Sequence, residues 1–184
     1  MTVIRAMAVL LLIGAPAMAQ TVREPPDYRM DHYRAPVPGK ITGGTTIGPE
    51  EAHVLWTDGA AAFIDVMPQP PKPANLPAGT IWREKPHETI PGAIWLPNVG
   101  YGKIADVTAD YFRSGLSKVT TGDPNHPVIF FCLEDCWMSW NAARRAIEWG
   151  YSDVYWLPEG TDGWRLWGYP LERVMPEEGQ PQTG

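Results

Sequence analysis

Cysteine is scarce in this chain of 184 residues. There are only two, Cys132 and Cys136, and three residues separate them. A disulfide between them would close a loop too short to remove much entropy from the unfolded chain, so it would stabilise the fold little. In an oxidising compartment two nearby thiols pair unless something keeps them reduced. The pair is therefore a stronger candidate for reactive chemistry than for structural reinforcement.

Positive charge is also in deficit. The sequence has 15 lysines and arginines against 21 aspartates and glutamates, which gives a formal net charge of −6. Nucleic acids and anionic membrane surfaces both require a basic patch on the protein that binds them. We therefore expect neither as a partner, and mild acidity of this size is also typical of a protein that is simply soluble.

Long apolar runs are missing except at the start of the chain. Residues 6–15 are apolar or small, Arg5 precedes them, and small residues follow at Ala17 and Ala19. This pattern predicts a secretory signal peptide, residues 1–19, that is cleaved after Ala19. The alternative is an uncleaved anchor, but a bilayer span needs roughly 20 apolar residues. The sequence thus predicts a periplasmic protein without a membrane span after cleavage.

The remainder of the chain divides into an N-terminal arm, one domain and a tail. Residues 20–40 are polar and rich in proline, residues 41–173 carry the apolar segments, and residues 174–184 are predicted to form a flexible tail. In the domain, strand-like and helix-like segments alternate, which is typical of an α/β fold with a mostly parallel central sheet flanked by helices. Strands are predicted within 41–47, 61–66, 90–97, 127–131 and 153–157, helices at 49–58, 105–117, 139–149 and 160–168, and a long proline-rich loop over 67–89. The first helix is predicted to start at Pro49, a residue suited to a first turn, with acidic residues next to it.

Cys132 occupies a special place in this pattern. It follows an all-apolar strand, of the kind that is buried on both faces of a parallel sheet, and it precedes a helix. Ligand sites in such folds form beyond the carboxyl ends of the strands. The backbone amides of the following loop and first helical turn are expected to form a cradle for an anion and to lower the pKa of Cys132. The residues of this predicted cradle are Leu133, Glu134, Asp135, Trp137, Met138 and Ser139.

Several chemical interpretations of the two cysteines remain open. With three intervening residues in a helical curve, their Cα atoms would be about 6 Å apart, within disulfide range. The pair is then a structural disulfide or two inert thiols, a redox-active or persulfide-carrying pair, or a site for a metal or redox cofactor. No histidine has ligand spacing to the cysteines, so no metal site is assigned. The four histidines are His32, His53, His87 and His126.

Two further residues are candidates for supporting the site. Asp65 ends a predicted buried strand at the same edge of the sheet as Cys132, where its carboxylate either faces the site or binds backbone amides of the adjacent loop. Trp164 belongs to a group of tryptophans that either line a pocket for a flat ligand or fill the core, which is the usual place for large aromatic side chains.

Residues 41–173 resemble the rhodanese family. The resemblance lies in short segments in a fixed order, and Cys132 falls on the position of the family's catalytic cysteine, which carries a persulfide. The resemblance implies a rhodanese-like three-layer fold. The usual loop has one residue fewer before the serine that matches Ser139, and Met67 stands where the family has arginine. These departures count against thiosulfate:cyanide sulfurtransferase activity. The matching segments are 62–66, 90–93, the strand into Cys132, 142–143, 150–151, 153–157, 160, 163–164 and 168–171.

The segment 131–143, together with residues 158–164, is similar to a narrower subfamily. This group of rhodanese-like proteins is named for a Cys…Cys-Trp motif and is associated with pyrroloquinoline quinone (PQQ)-dependent catabolism; here the motif is Cys132, Cys136 and Trp137. The resemblance implies an accessory role in periplasmic alcohol oxidation, beside a quinoprotein dehydrogenase, a cytochrome or a transport component. No feature of the sequence by itself binds PQQ, so the cofactor remains unknown.

Two functional hypotheses follow. In the first, the protein is an exported accessory protein in which Cys132 is the nucleophile of a thiol–redox or sulfur-carrying pair and Cys136 is the resolving thiol. In the second, the rhodanese scaffold is a non-catalytic binding module for a redox cofactor, a metal or a partner protein.

Overall fold

The computed structural model describes residues 22–69, 75–77, 79 and 86–181. The predicted signal peptide, residues 1–19, lies outside this described part of the chain. The elements along the chain are β1 (Thr45–Thr46), α1 (Pro49–Thr57), β2 (Ala62–Asp65), β3 (His87–Thr89), β4 (Ile94–Trp95), α2 (Asp106–Thr120), β5 (Val128–Phe131), α3 (Trp137–Glu148), β6 (Val154–Leu157), α4 (Gly160–Leu166) and β7 (Glu172–Val174).

Five of the strands form a parallel sheet in the order β1-β6-β5-β2-β4. The predicted α/β class is thereby confirmed. Strand β5 lies at the centre, and all four of its residues are buried, which explains why it lacks polar side chains. Asp65, the last residue of β2, is in register with Phe131, the last residue of β5. The residues that follow these two strands therefore meet at one edge of the sheet.

Helices cover both faces of the sheet, so the domain has three layers. Side chains from α2 and α3 pack with one face, where Phe112, Trp140 and Phe130 belong to the larger core cluster. Side chains from α1 and α4 pack with the other face, where Ala52 and Trp164 belong to the second cluster. Both cysteines belong to the larger cluster, on the α2 and α3 side.

The beginning of α1 follows directly from its sequence. Gly48 is the N-cap, Pro49 occupies the first turn, and the Glu51 carboxylate accepts the Gly48 backbone N–H at 3.1 Å. Proline lacks an amide hydrogen that this turn would leave unpaired, and acidic side chains favour the positive end of the helix. The predicted helix start is confirmed.

A small second sheet was missed by the sequence analysis. His87–Thr89 lay within the predicted loop 67–89, but these residues form β3, which pairs antiparallel with β7. Short strands of this kind carry no periodicity, and their partner is more than 80 residues away in the chain. The structure also extends beyond the predicted start of the flexible tail at residue 174, because the Glu177 backbone N–H donates to Trp95 at 2.9 Å and its carbonyl accepts the Tyr111 hydroxyl at 3.1 Å.

The third helix also begins earlier than predicted. The sequence placed its start at Ser139, whereas α3 begins at Trp137 with Cys136 as the N-cap. The loop between β5 and α3 is therefore only residues 132–136. Asp135 accommodates this tight connection with a left-handed backbone at φ 53°, a conformation that aspartate tolerates better than most residues.

The contact between Gly160 and the cysteine loop generates a stability prediction. A Cβ atom at Gly160, whose φ is 52°, would overlap the carbonyl oxygen of Cys132. We expect Gly160→Ala to lower the free energy of unfolding by about 3 kcal/mol, from the left-handed backbone and the steric overlap together. Gly150 has a φ of 95° but open space around its Cβ position, so Gly150→Ala should cost about 1 kcal/mol. Urea denaturation of both variants measures the difference; equal losses would contradict the steric argument.

Candidate active site at the cysteine loop

The loop between β5 and α3 is held in place from two sides. The Cys132 carbonyl accepts the backbone N–H of Thr161 at 2.9 Å, which ties the loop to the start of α4. The backbone N–H of Glu134 donates to the Asp162 carboxylate at 3.1 Å, also in α4. The loop is therefore a fixed feature of the domain, and the positions of its two sulfur atoms follow from it.

Cys132 is almost fully enclosed. Its exposed fraction is 1%, and its Sγ lies 3.6 Å from the Sδ of Met67, which follows β2. Burial raises the pKa of the Cys132 thiol well above its ordinary value, and the neighbouring Cys136 and the Asp65 carboxylate raise it further. Cys132 is accordingly a neutral thiol at physiological pH.

Cys136 has the opposite character, although it too is buried, with an exposed fraction of 2%. A hydrogen bond from the Cys132 thiol lowers the pKa of Cys136 to about 7, and the backbone amides of Met138, Leu133 and Ser139 act in the same direction against the effect of burial. None of these amides makes a capping hydrogen bond of standard geometry to the side chain. The Cys132 thiol has two neighbouring acceptors, Met67 and Cys136, and an ionised sulfur is the stronger of them.

The expected effect of the cradle on Cys132 was wrong. The sequence predicted that the loop amides would lower its pKa, but burial raises the pKa of Cys132 against the effect of the Leu133 amide. The amides of Met138, Leu133 and Ser139 lower the pKa of the neighbouring Cys136. The amide of Glu134 is taken by Asp162, and the amide of Trp137 donates to the Tyr33 carbonyl at 2.9 Å. The physical reason is the early start of α3, which makes Cys136, and not Cys132, the residue at the helix N-terminus.

Both cysteines are free thiols in this structure, and no disulfide joins them. The two thiols nevertheless influence each other, because Cys136 raises the pKa of Cys132 and Cys132 lowers the pKa of Cys136. The arrangement is a dithiol with one proton donor, Cys132, and one stabilised thiolate, Cys136. Chemically, such a pair can be oxidised to a disulfide, or Cys136 can attack an electrophilic sulfur.

Asp65 lies at the same edge of the sheet, and it combines the two roles that the sequence left open. It is fully buried, and its carboxylate accepts the Met67 backbone N–H at 2.8 Å and the Thr89 hydroxyl at 2.6 Å. Its Oδ2 is also 2.7 Å from His87 Nε2. It therefore binds a backbone amide of the next loop and also acts on the pKa of Cys132. His87 could not be placed here from the sequence, because the short strand β3 carries no recognisable pattern.

The remaining predicted site residues are placed as follows. Glu134 and Asp135 are exposed, whereas Trp137 and Met138 are buried at the start of α3. The Ser139 hydroxyl donates to the Cys136 carbonyl at 2.9 Å and accepts the Trp156 indole N–H at 3.0 Å. Trp164 lies in the second core cluster, where its indole N–H donates to the Pro170 carbonyl at 2.7 Å. It packs among aromatic rings such as those of Trp56 and Tyr169.

The N-terminal arm pairs with the cysteine loop, an arrangement that the sequence did not predict. Arg34 forms an antiparallel β-bridge with Cys136. Upstream, the Asn141 side chain bonds the backbone N–H and carbonyl of Arg29, each at 2.9 Å, and the Tyr28 hydroxyl donates to Glu148. A detectable signal was present: apolar residues alternate at positions 33, 35 and 37, as in a half-buried strand.

Among the residues that the structure describes, no three His, Cys, Asp or Glu side chains are grouped so that they could hold a metal ion. Within the same residues, no helix has the length and apolar character that crossing a membrane requires.

The fold and the site together define an α/β domain with a cysteine at the carboxyl end of its central strand. The sequence model of the rhodanese-like domain family matches residues 49–166, and the chain belongs to this family. No curated protein is significantly similar to the chain.

Solved structures with a related arrangement are distant in sequence. A crystal structure of thiosulfate sulfurtransferase from Pseudomonas aeruginosa is 19% identical, with a TM-score of 0.49, over 72% of this chain and 21% of that protein. The solution NMR structure of a rhodanese-like domain from an Anabaena protein is 15% identical, with a TM-score of 0.47, over 70% of this chain and 79% of that domain. The chain thus spans only about a fifth of the sulfurtransferase.

The hydrogen bond between the two cysteines generates a prediction about the pKa of Cys136. Cys132→Ala removes the donor, and because hydrogen bonds to charged groups contribute roughly 1.5–3 kcal/mol, the pKa of Cys136 should rise by about one unit or more. Cys132→Ser keeps a hydroxyl donor and should raise it less. The pH dependence of iodoacetamide alkylation measures both values, with a midpoint near 7 expected for the unaltered protein. Identical midpoints in the two variants would contradict the shared hydrogen bond.

A second prediction concerns the charge of Asp65. Its carboxylate raises the pKa of Cys132, so Asp65→Asn should lower that pKa and speed alkylation of Cys132 at alkaline pH. Asp135→Asn is the matched control, because it removes an exposed carboxylate from the cysteine loop and asparagine tolerates its left-handed backbone. Peptide mapping by mass spectrometry assigns the alkylation to each cysteine. An equal effect of both substitutions would show that the charge of Asp65 has no special influence.

Proposed function

We propose that this protein is an exported rhodanese-like accessory protein whose Cys132–Cys136 pair is redox-active. The observation that carries the proposal is the placement of two free, buried thiols at the two ends of one short loop, Cys132 after β5 and Cys136 at the N-cap of α3. The pKa of Cys132 is raised there and that of Cys136 is lowered to about 7. A thiolate is the attacking species in thiol–disulfide exchange, and a thiol with a pKa near the ambient pH is the most effective attacker. This makes Cys136 the attacking residue and Cys132 the resolving one, the reverse of the order expected from the sequence.

The reaction balances as an exchange of two electrons. The Cys136 thiolate attacks one sulfur of an external disulfide, and the other sulfur of that disulfide leaves as a thiolate. Cys132 then gives up its proton to solvent and attacks Cys136 Sγ, which releases the second external thiolate. The protein ends as a Cys132–Cys136 disulfide and the external disulfide ends as two thiols; the reverse direction oxidises an external dithiol.

In a related form of the proposed function, one cysteine of the pair carries an extra sulfur atom as a persulfide. The same attack by Cys136 on a sulfane sulfur donor would place the extra sulfur at the helix N-terminus, where backbone amides stabilise negative charge. Cys132 can then release that sulfur by forming the intramolecular disulfide. Membership of the rhodanese-like family supports this form at the level of the family.

The biological setting of the proposal rests on sequence resemblance. The similarity of residues 131–143 to the PQQ-associated subfamily supports a periplasmic role beside a quinoprotein dehydrogenase, a cytochrome or a transport component. In this proposal PQQ belongs to the partner, since both sulfur atoms are buried and the arm lies over their loop.

A non-catalytic binding module is the second candidate function. The observation that favours it is the burial of both sulfurs, which leaves 1% of Cys132 and 2% of Cys136 exposed. In that case the cysteines contribute packing, and replacing them with serine would leave binding intact.

A redox titration separates the two functions. The reduced protein is equilibrated in glutathione buffers of graded ratio, quenched in acid, alkylated and weighed by mass spectrometry. We expect one transition between dithiol and intramolecular disulfide, with the loss of two hydrogen atoms. In parallel, a sulfane sulfur donor should add the mass of one sulfur atom.

The single-cysteine variants make the test directional. Cys132→Ser retains the reactive Cys136 and should accumulate a mixed disulfide with glutathione, whereas Cys136→Ser leaves only the buried, neutral Cys132 and should react far more slowly. Absence of the intramolecular disulfide at every glutathione ratio, together with absence of a persulfide, would overturn the proposed redox function and favour the binding module.

A further inference from the structure

The arm runs alongside the cysteine loop as an extended strand. The Ala35 backbone N–H donates to the Asp135 carbonyl at 3.1 Å, and the Trp137 backbone N–H donates to the Tyr33 carbonyl at 2.9 Å. Arg34 lies between these two bonds and opposes Cys136 in antiparallel pairing. The backbone on both sides of the reactive cysteine thus already pairs with an extended peptide, which here is part of the same chain.

The side chains of this segment alternate between inside and outside. Tyr33, Ala35 and Val37 are half-buried and pack against the larger core cluster, whereas Arg34 and Pro36 are exposed. The segment is consequently recognised through its backbone and through small or apolar side chains at every second position. Main-chain hydrogen bonds combined with contacts from alternate side chains are the usual basis of recognition by strand addition.

The fixed part of the arm lies upstream of the paired segment. Arg144 donates to the carbonyls of Pro25 and Pro26, at 3.2 Å and 2.6 Å, and Asn141 holds the backbone of Arg29. The Tyr28 ring also lies 4.3 Å from the Arg145 guanidinium carbon. Because these contacts involve α3 and not the cysteine loop, residues 33–35 can unpair while residues 25–29 stay attached.

We propose that the backbone edge of Asp135–Trp137 is a docking site for an extended segment of a partner polypeptide, and that the arm occupies this edge in the partner's absence. The proposal deepens the redox function proposed above, since it names the substrate class: a protein with a disulfide or dithiol in an extended segment with apolar residues at alternate positions. A small disulfide offers neither the backbone donors and acceptors nor the alternating side chains that the edge now contacts.

The exchange step then begins with replacement of the arm. The partner segment takes over the bonds of Tyr33 and Ala35, which brings its disulfide to the Cys136 thiolate. Attack, release of one partner thiolate and resolution by Cys132 follow with the balance given above, and two partner thiols result. When the partner leaves, residues 33–35 pair again with the loop.

The test compares a backbone change with a side-chain change in the arm. Ala35→Pro removes the N–H that bonds Asp135 and suits an extended segment, while Arg34→Ala alters only an exposed side chain. Loss of one hydrogen bond should increase the alkylation rate of Cys136 by iodoacetamide about three- to tenfold in Ala35→Pro, with little change in Arg34→Ala. Tyr28→Phe loses the bond to Glu148 in the attached part of the arm and should leave the alkylation rate nearly unchanged. Circular dichroism confirms the fold of each variant.

A peptide supplied in trans identifies the occupant. A blocked peptide of residues 31–38 should slow the alkylation of the Ala35→Pro protein in a saturable manner, and the same peptide N-methylated at Ala35 should not. Unchanged alkylation in Ala35→Pro, or equal protection by both peptides, would overturn the proposal. A dimer of the Ala35→Pro protein, seen by size-exclusion chromatography, would assign the edge to a second copy and likewise overturn it. These measurements report peptide binding and the exposure of Cys136 whether or not the disulfide forms. The docking proposal can therefore fail while the proposed redox function stands, and the reverse.

Discussion

The parallel pairing of β2 with β5 is the constraint on which the site depends. Their register places Asp65 opposite Phe131, and Met67 and Cys132 follow on the same edge of the sheet. The Val66 backbone N–H donates to the Phe131 carbonyl at 3.0 Å, which continues the pairing past the end of the strands. The buried carboxylate, the thioether and the thiol are thereby brought together, although Met67 and Cys132 are 65 positions apart in the chain.

A buried site of this kind accommodates one negative charge on sulfur far more easily than two, because charge is costly to bury without compensation. The loop decides where that charge resides. Cys136 caps α3 and is stabilised by three amides and one thiol, whereas Cys132 faces Met67 and is influenced by the Asp65 carboxylate. The difference between the two thiols is therefore a property of the backbone path, since both side chains are chemically identical and similarly buried.

Much of the fold could be predicted from the sequence, for identifiable reasons. The all-apolar segment Val128–Phe131 requires burial on both faces, and Pro49 with its neighbouring acids predicts the start of α1. Strand β3 could not be predicted, because three residues carry no period and its partner β7 is distant. The site was likewise predictable only in part. The position of Cys132 follows from the order of strands and helices, but the amide contacts of Cys136 depend on a two-residue difference in the start of α3.

The pairing of the arm could not be predicted, because Asn141 and Arg144 bind the arm from a helix that lies far from it in the chain.

The pairing of Arg34 with Cys136 has a consequence for the order of folding. The anchoring contact between Arg29 and Asn141 spans 112 positions, and contacts between distant positions carry a larger closure entropy and form more slowly than local ones. The arm, the earliest described part of the chain to be synthesised, must wait for α3, one of the last helices. A newly made molecule therefore passes through a stage in which its sheet is assembled while the cysteine loop still lacks its paired arm, and any oxidant it meets at that stage acts before this pairing forms.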